Sequence, residues 1–304
     1  MNKHANLATA AKSALVKADP NTPALLVTGR DAIAIKPGTI FAGRTFDQDT
    51  HVPLPAEGLS PGADYGVVVT ADAIKLEKLT FAPLLTGAYI GGFHFAPGGN
   101  AAGRSGGDEQ PAINPFSVWD VNFRPACDDP RGMVLVEKPG QKFWCDIYLL
   151  GTNHLGDGTS KFGATIADGD DPPQKSGTED CFDGLDYATA VEVMKHHGKG
   201  LLSVEEFFAV AFGVTEKTAR DKDPKKTGLD APRTSKFGVM QATGNLWAWG
   251  HDGDPDMPRA SLFGGAWWVG DSAGSRSAGV ACNWPDDSDE DVGARGRSDH
   301  LQPG

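Results

Sequence analysis

The hydrophobic positions in the first third of the chain recur in short runs that glycine and proline interrupt. Between residues 21 and 95 these runs are rich in β-branched residues, which is typical of strands joined by tight turns. The runs are ALLVTG, AIAIKPGTIF, YGVVVTADAIKLEKL and GAYIGGFHF. In AIAIK the alternation indicates one buried and one solvated face. This part of the sequence therefore predicts a small antiparallel β-domain.

The segments on either side of this β-domain have different patterns. Residues 1–18 contain LATAAKSALVKA, which predicts a short amphipathic helix that ends before Asp19 and Pro20, because the residue before proline disfavours helix. Residues 96–112 are rich in glycine and alanine and have no periodicity, which indicates a loop or linker. A phosphate-binding role is not expected there, because the GxxxxGK[ST] motif and its strand–loop–helix context are missing.

After residue 112 the pattern predicts strands and then a helix. FSVWDVNFRP and GMVLVEKPGQKFWCDIYLLG read as strands. DYATAVEVMKHHG has helical spacing, with Tyr187, Val191 and Met194 on one face and Gly198 as the C-cap.

A second helix follows the first at once. Ser203 and Glu206 stand three residues apart and form a capping-box pattern, and Gly213 marks the end of the helix. After residue 236 a glycine- and tryptophan-rich tail has no helix signal. We therefore predict an α+β protein with an N-terminal extension or helix (1–20), a β-domain with its glycine-rich linker (21–112) and a second domain (113–304).

Composition and charge exclude several classes of function. The 304 residues carry a formal net charge of −12, so nucleic acid is not an expected partner. Four scattered cysteines, without a CxxC motif, predict buried free thiols rather than a disulfide framework or a zinc site. The N-terminus has no apolar signal-peptide region, and no apolar run reaches the ~18 residues of a membrane span. We expect a soluble protein, made in a cytoplasm, without membrane insertion.

Three features could carry chemistry, and each has a simpler interpretation. Two aspartate clusters have the spacing of calcium-binding turns, although solvated turns are favoured over calcium sites; they are Asp252, Asp254 and Asp256, and Asp168, Asp170 and Asp171. His196 and His197 lie at a predicted helix end, where histidine is favourable against the helix dipole. No GxSxG motif marks a nucleophilic serine.

The C-terminal tail combines a rigid-looking frame with an acidic string. Glycines permit positive φ, and tryptophans supply large buried areas. Arg276 and Arg295 are candidates for interior guanidiniums, either paired with a carboxylate or bonded to backbone carbonyls. Between the two arginines, residues 286–291 are acidic except for Ser288. Charged residues in a row cannot all be buried unpaired. Composition alone favours an acidic solubilising loop, whose alternate residues 287, 289 and 291 would share one face of an extended segment.

Longer motifs carry a resemblance to a known family. The tail motifs GNLWAWG, GGAW, SRSA and GAR resemble the C-type-lectin-type fold of formylglycine-generating enzymes. From about residue 14 to the end the chain is similar to the major tropism determinant of tailed phage, and the similarity is carried by GGFHFAPGGNAA, FSVWDVNFRPACDDPRGMVLV, CDIYLLGTNHLGDGTSKFGATIADG, VMKHHGKGLLSVEEFFAVAFGVTE and GARGRSDHL. The resemblance implies a small β-sandwich-like domain followed by a C-type-lectin-type domain. We expect the chain to begin near the β-sandwich-like domain, which is the second domain of the family, without the β-prism domain that precedes it in the founding member.

The resemblance also implies a function. Members of this family are receptor-binding proteins at the tip of a phage tail fibre, and a diversity-generating retroelement rewrites their variable region. Applied to this chain, it implies a non-enzymatic homotrimer in the virion, synthesised in the host cytoplasm. The trimer would be joined to a tail-fibre protein and would bind a bacterial surface receptor, either protein or glycan. No cofactor is implied, and calcium stays open.

The family pattern assigns residues within a variable region of about 262–301. The receptor-binding positions that it implies are Ala266, Trp268, Val269, Gly270, Ser272, Gly279, Ala281, Cys282, Asp287, Asp289, Asp291 and Val292. Trp268 and Trp284 would be aromatic anchors. The fixed scaffold positions are Trp247, Trp249, Gly264, Gly265, Trp267, Arg276, Gly293 and Arg295.

Two alternatives remain at this point. The chain could be a cellular surface protein that the same kind of element diversifies to bind ligands. A more remote alternative is an oxidoreductase like the formylglycine-generating enzyme, which needs a pair of reactive cysteines in the C-terminal core, where this tail supplies only Cys282.

Overall fold

The computed structural model describes residues 15–80, 82, 89–251 and 260–301. Its architecture is mostly β, with a few short helices in the C-terminal half. Among the described residues, none of the helices combines the length and the apolar character that a bilayer crossing demands.

Ten short strands form the described part of the N-terminal half, in which β-branched runs alternate with turns. They make a three-stranded sheet in the order β1-β2-β5, a β3-β4 hairpin, and a sheet in the order β10-β8-β6-β7 with β9 added to β8. All of these pairings are antiparallel, as the alternation in the sequence predicts. The strands are β1 (Leu25–Val27), β2 (Ile33–Ile35), β3 (Thr39–Phe41), β4 (Arg44–Phe46), β5 (Thr50–His51), β6 (Ala63–Val69), β7 (Ile74–Lys78), β8 (Tyr89–Ala96), β9 (Ala112–Ile113) and β10 (Trp119–Asp120).

Both larger sheets of this half contribute to one apolar core. Ile33 and Ile35 from β2 share this core with Tyr65 and Val67 from β6 and Phe93 from β8. Burial of such side chains stabilises the fold by roughly 1.5–3 kcal/mol each.

The first residues of the described chain are not helical. Val16 forms an isolated antiparallel bridge with Ile40, and Lys17 donates to the buried Asp120 at 2.9 Å. The predicted N-terminal helix is therefore wrong for Val16, because strand pairing satisfies its backbone, while the helix prediction for residues 1–14 falls outside the described residues.

The glycine-rich stretch between β8 and β9, residues 97–111, is a loop that lies against the C-terminal half. Ala101 N–H donates to Ser235 O at 3.1 Å, and Gly107 N–H donates to Ala231 O at 2.8 Å. These backbone bonds fix the stretch to the second half, so it does not behave as a linker surrounded only by solvent.

A buried polar chain also joins the two halves. His94 on β8 contacts Asp64 at 3.1 Å through Nδ1 and the Tyr148 hydroxyl at 3.0 Å through Nε2. The Asp64 carboxylate accepts in addition from Gly132 N–H at 2.9 Å. Polar groups buried at this junction are thereby satisfied, as burial requires.

Eight strands and three α-helices are found among the described residues of the C-terminal half. One sheet has the order β11-β12-β18, and the other has the order β13-β14-β15-β16 with β17 added to β14. The elements are β11 (Met133–Lys138), β12 (Gln141–Asp146), α1 (His154–Asp157), α2 (Tyr187–His196), β13 (Leu202–Ser203), α3 (Val204–Val210), β14 (Trp247–His251), β15 (Ala260–Phe263), β16 (Ala278–Asn283), β17 (Val292–Gly293) and β18 (Arg297–Asp299).

The two longer helices follow the sequence prediction, with one correction. Helix α2 buries Ala190, Val193 and Met194, whereas Val191 is 37% exposed. Val191 therefore does not share the buried face of Met194, which is completed by Ala190 and Val193. Gly198 has φ +67° beyond the helix end.

Helix α3 begins with the predicted capping box. The Ser203 hydroxyl accepts from Glu206 N–H, and the Glu206 carboxylate accepts from Ser203 N–H. Two backbone N–H groups that the first turn leaves without partners are satisfied in this way. The helix ends three residues before Gly213, which has φ +106°.

Candidate functional site

A turn of two glycines connects β15 to the tryptophan-rich segment. Gly264 and Gly265 have φ +95° and +87°, a region that side chains with a Cβ rarely adopt. A Cβ on Gly265 would approach Ala273 Cα at 2.9 Å. The two scaffold glycines therefore hold the chain in a conformation that few other residues permit.

Arg295 is an interior guanidinium, as its sequence context predicts. Its Nη1 donates to the carbonyls of Asp146 and Ile147 at 3.0 and 2.6 Å, and its Nη2 donates to those of Met240 and Gln241 at 2.8 and 3.2 Å. The side chain is 3% exposed. One planar cation thus bonds two segments that lie far apart in sequence.

Arg276 does not have the same role, and the prediction for it is wrong. Its side chain is exposed, because it lies in the turn that precedes β16 and points away from the core. Glu216 fixes this turn instead. The Glu216 carboxylate accepts from the backbone N–H of Ser275 at 3.0 Å and also from the Ser275 hydroxyl, a contact that no spacing in the sequence indicates.

Backbone hydrogen bonds fix the acidic loop, which comprises residues 284–291, to the core. Tyr187 N–H donates to Pro285 O at 3.0 Å, Gly169 N–H donates to Asp289 O at 3.0 Å, and Trp247 N–H donates to Asp291 O at 2.8 Å. These three bonds use only main-chain atoms of the loop, so they do not require the carboxylates.

Ser288, the one residue that interrupts the acids, also fixes the loop through its side chain. Its hydroxyl accepts from the Leu185 N–H at 2.8 Å. Two glycines leave room for it, since a Cβ on Gly184 would overlap the Ser288 hydroxyl and a Cβ on Gly169 would meet Ser288 O at 2.6 Å. The sequence patterns did not predict that Ser288 fixes the loop. Its position as the one interruption of the acidic run is the feature that could have indicated this role.

Trp268 and the acidic loop enclose a surface pocket of about 370 Å³. The indole Nε1 of Trp268 donates to Asp291 Oδ2 at 2.6 Å, while Trp268 remains 60% exposed. Burial raises the pKa of Asp291, and the charge of Asp289 raises it further, against the opposing effect of the Trp268 hydrogen bond. The described residues that line the pocket are Asp170, Trp268, Ser288, Asp289, Glu290 and Asp291.

Most of the predicted variable positions lie at the surface or are half-buried. Trp268, Ser272, Cys282 and Asp289 are exposed. Half-buried positions are Val269, Gly270, Gly279, Asp287 and Asp291. The side chain of Ala281 lies outside the described part of the chain.

Two predicted variable positions are buried instead. Ala266 is 0% exposed, because it forms a parallel bridge with Asn245 inside the domain. Val292 is 3% exposed, because strand β17 pairs it with Trp247 and packs it in a core with Trp249. Neither side chain is available to a partner.

The acidic loop is also not the extended segment that the alternation predicts. Turns occur at residues 285–286 and 290–291, so Asp289, Glu290 and Asp291 line one pocket although they are consecutive. Asp286 faces a second pocket of about 280 Å³ beside Phe182.

The scaffold tryptophans divide between core and edge. Trp249 is 1% exposed, and its Nε1 donates to Leu185 O at 2.8 Å, whereas Trp247 and Trp267 are half-buried. Gly293 is buried, and a Cβ there would approach the Leu246 side chain at 3.2 Å.

Only one of the two aspartate clusters lies within the described residues. Asp252, Asp254 and Asp256 lie outside the described residues. Asp168 is buried, and its Oδ1 accepts from the N–H groups of Asp170 and Asp171 at 2.9 and 2.8 Å, which makes it a turn-forming residue. Within the described ranges, no group of three acidic, histidine or cysteine side chains could hold a metal ion.

One of the two histidines at the end of α2, His197, is hydrogen-bonded to His154. His197 Nε2 lies 2.9 Å from His154 Nδ1, and His154 Nε2 lies 2.8 Å from Gln174 O. Burial lowers the pKa of His197 to about 4, and nearby His154, Lys199 and His196 lower it too. These contacts agree with the structural interpretation of His197.

The cysteines are free thiols, but only two of them are buried. Cys127 and Cys145 lie in the interior, whereas Cys181 and Cys282 are exposed. Burial raises the pKa of Cys145 to about 12, which disfavours a reactive thiolate. Exposure of Cys181 and Cys282 corrects the expectation of buried thiols, since both lie in segments at the surface.

Comparisons with known proteins agree on one family. A family model described as "Mtd second domain" matches residues 23–120. The tail fiber receptor-binding protein of Bordetella phage BPP-1 is 42% identical over an alignment 332 positions long, which covers 95% of this chain and 85% of that protein. The solved structures of the U1 and I1 variants of the major tropism determinant each superpose with a TM-score of 0.87 at 40% identity, covering 99% of this chain and 88% of theirs.

Proposed function

Because this chain belongs to the major tropism determinant family of phage tail-fibre receptor-binding proteins, we propose that it attaches a phage to its host by binding a bacterial surface receptor. The C-terminal half is the C-type-lectin-type part that carries the binding surface. The names of its relatives describe receptor binding and tropism, which favours this function over an oxidoreductase.

One observation carries the proposal. The backbone of the acidic loop is hydrogen-bonded to the core at three points, while Trp268, Asp289 and Glu290 keep their side chains exposed. A surface whose shape comes from the main chain can change its side chains without loss of the fold. This property suits a binding face that varies between relatives.

The receptor-binding surface in this proposal consists of the accessible members of the variable set. They are Trp268, Val269, Gly270, Ser272, Gly279, Cys282, Asp287, Asp289 and Asp291. Ala266 and Val292 are left out because they are buried. Ala281 stays a predicted member of this set.

We further propose the assembly that the family suggests. The chain acts as a homotrimer joined to a tail-fibre protein at the tip of the fibre, in the virion, and several copies engage the cell together. Multivalent engagement raises avidity by roughly 10²–10⁴ over a single contact. The shared core of the N-terminal sheets supports a small β-sandwich in that half, and residues 21–112 and 113–304 remain our proposed division into domains.

The experiment is a cell-binding assay with the full chain. Fluorescently labelled protein is applied to a panel of bacterial strains, and a strain that it stains is then used with variants. We expect Trp268→Ala combined with Asp289→Ala to reduce staining at least roughly tenfold, as truncated hot-spot residues do.

The matched control is Asp31→Ala combined with Glu57→Ala, at two exposed acids of the N-terminal half. Staining and melting temperature should both remain at the wild-type level. Equal staining by the two double variants would contradict the proposed surface, and failure to stain any strain would contradict the proposed function.

A further inference from the structure

The variable region combines exposed apolar groups with concentrated negative charge. Trp268, Val280 and Trp284 are 60%, 48% and 57% exposed, which is unusual for large apolar side chains and typical of interaction surfaces. Five of the six residues 286–291 are acidic. A partner for this face must offer both apolar contact and a compensating charge.

The pocket beside Trp268 concentrates this charge. Its described lining contains four carboxylates, those of Asp170, Asp289, Glu290 and Asp291, and no basic side chain. Repulsion among like charges is strongest where water is partly excluded. Burial raises the pKa of Asp291, and the charge of Asp289 raises it further; a cation in the pocket would favour the charged form of this carboxyl group.

The orientation of Trp268 suits a cation as well. The N–H of an indole lies in the ring plane, so its hydrogen bond to Asp291 uses the ring edge and leaves ring surface exposed. Guanidinium and ammonium groups bind over the face of tryptophan. The same cation can donate to the neighbouring carboxylates, and a guanidinium can do so with two parallel hydrogen bonds.

We propose that the pocket formed by Trp268 and the acidic loop binds an arginine or lysine side chain on a protein receptor. This inference rests on the proposed function and names the chemistry of the partner. At about 370 Å³, the pocket lies within the range of roughly 300–1,000 Å³ that small ligands occupy.

A protein cation fits this lining better than a neutral glycan does. A sugar hydroxyl can both donate and accept a hydrogen bond. The ionised carboxylates can only accept, and the indole N–H of Trp268 already donates to Asp291, so these groups offer no partner to the acceptor atoms of a sugar. Anionic sugars would meet repulsion from the four carboxylates. Charge complementarity therefore favours a basic protein surface.

The experiment titrates the full chain with N-acetyl-arginine amide and, separately, with N-acetyl-citrulline amide, a neutral analogue of similar shape. The readout is the NMR signal of the Trp268 indole N–H, assigned by its loss in Trp268→Phe. We expect a saturable shift with arginine amide, at least roughly tenfold tighter than with citrulline amide. The binding should weaken as salt approaches ~1 M.

Two double variants separate a specific pocket from general acidity. Asp289→Asn with Asp291→Asn should reduce arginine-amide binding at least roughly fivefold, whereas Asp31→Asn with Glu57→Gln, which removes the same charge elsewhere, should leave it unchanged. Equal affinity for arginine and citrulline amides, or an equal effect of both double variants, would overturn the inference.

The staining assay and the titration together distinguish failure of the cation pocket from failure of the proposed function. A chain that stains bacteria but gives no shift with arginine amide keeps the function and loses the cation pocket. A chain that binds arginine amide but stains no strain keeps the pocket and loses the function. Shifts caused by methyl glucoside or by glucosamine, without any caused by arginine amide, would point to a glycan and overturn the inference.

Discussion

The hydroxyl of Ser288 accepts a hydrogen bond from the backbone N–H of Leu185 at 2.8 Å, across a separation of 103 residues. Leu185 is 0% exposed, so its N–H has no access to bulk water. The bond holds the middle of the acidic loop against the segment that precedes helix α2. The surface that we propose to contact the receptor is therefore shaped by a serine that need not touch the receptor.

Replacement of Ser288 tests whether its hydroxyl stabilises the acidic loop. Ser288→Ala should lower the free energy of unfolding by about 1–2 kcal/mol, because the buried Leu185 N–H loses its acceptor. Chemical denaturation measures the change. Ser288→Thr, which keeps a hydroxyl, serves as the comparison, and an unchanged stability in Ser288→Ala would show that the loop is held by its main chain alone.

Gly184 gives a second test of the packing around Ser288. Gly184→Ala would push a methyl group into the Ser288 hydroxyl, so we expect a loss of about 1–3 kcal/mol, as in other overpacked sites. Gly103→Ala is the matched control, since nothing lies within 4 Å of a Cβ there. Equal stability of the two variants in thermal melts would contradict the close contact.

The two arginines of the tail should respond differently to the same substitution. Arg295→Lys should cost about 3 kcal/mol of stability, because an ammonium group cannot reach four carbonyls in two segments and leaves a poorly satisfied buried charge. Arg276→Lys should change stability by less than about 0.5 kcal/mol, as exposed substitutions usually do. Urea titrations of both variants measure the difference, and similar losses would contradict the assignment of Arg295 as the interior cation.

Within the variable region, substitutions of side chains outside the core should reduce stability less than substitutions of buried side chains. Asp287→Ala and Asp289→Ala should each change the free energy of unfolding by less than about 0.5 kcal/mol. Val292→Ala should reduce it by about 2 kcal/mol, because it removes buried methyl groups and leaves a cavity. Thermal melts compare the three variants; a large loss in the aspartate variants would mean that the carboxylates support the fold.

Acid should destabilise the protein through His197. Its pKa is lowered to about 4 in the folded chain, against about 6.5 when unfolded. Between these values the unfolded chain binds the extra proton, so this contribution to stability is complete above pH ~6.5 and is lost as the pH falls toward ~4. Denaturation at about pH 7 and about pH 5 measures the loss.

His197→Gln removes this titration, so the variant should lose less stability than the wild type over the same interval. His51→Gln, at an exposed histidine, should behave like the wild type. An equal acid response of His197→Gln and the wild type would assign the effect to other groups.

Local patterns in the sequence determined much of this protein. Alternation predicted antiparallel strands in the first half, Ser203 and Glu206 predicted the start of α3, and the tail motifs indicated the family. Each of these signals is contained in a few neighbouring residues, because strand alternation, helix caps and glycine turns are governed by local geometry. The position of Arg295 next to fixed tail residues likewise pointed to an interior role.

Only the tertiary structure decided which side chains of the tail face the solvent. Arg276 and Arg295 occur in similar sequence contexts, yet one is exposed and the other bonds to segments around residues 147 and 240. Val292 is buried because β17 pairs with β14, and Ser288 is an anchor because Leu185 and Gly184 lie opposite it. Burial depends on partners more than a hundred residues away in some cases, and local patterns do not specify contacts across such separations. The physical reason is that exposure is a property of packed neighbours, which only the folded topology brings together.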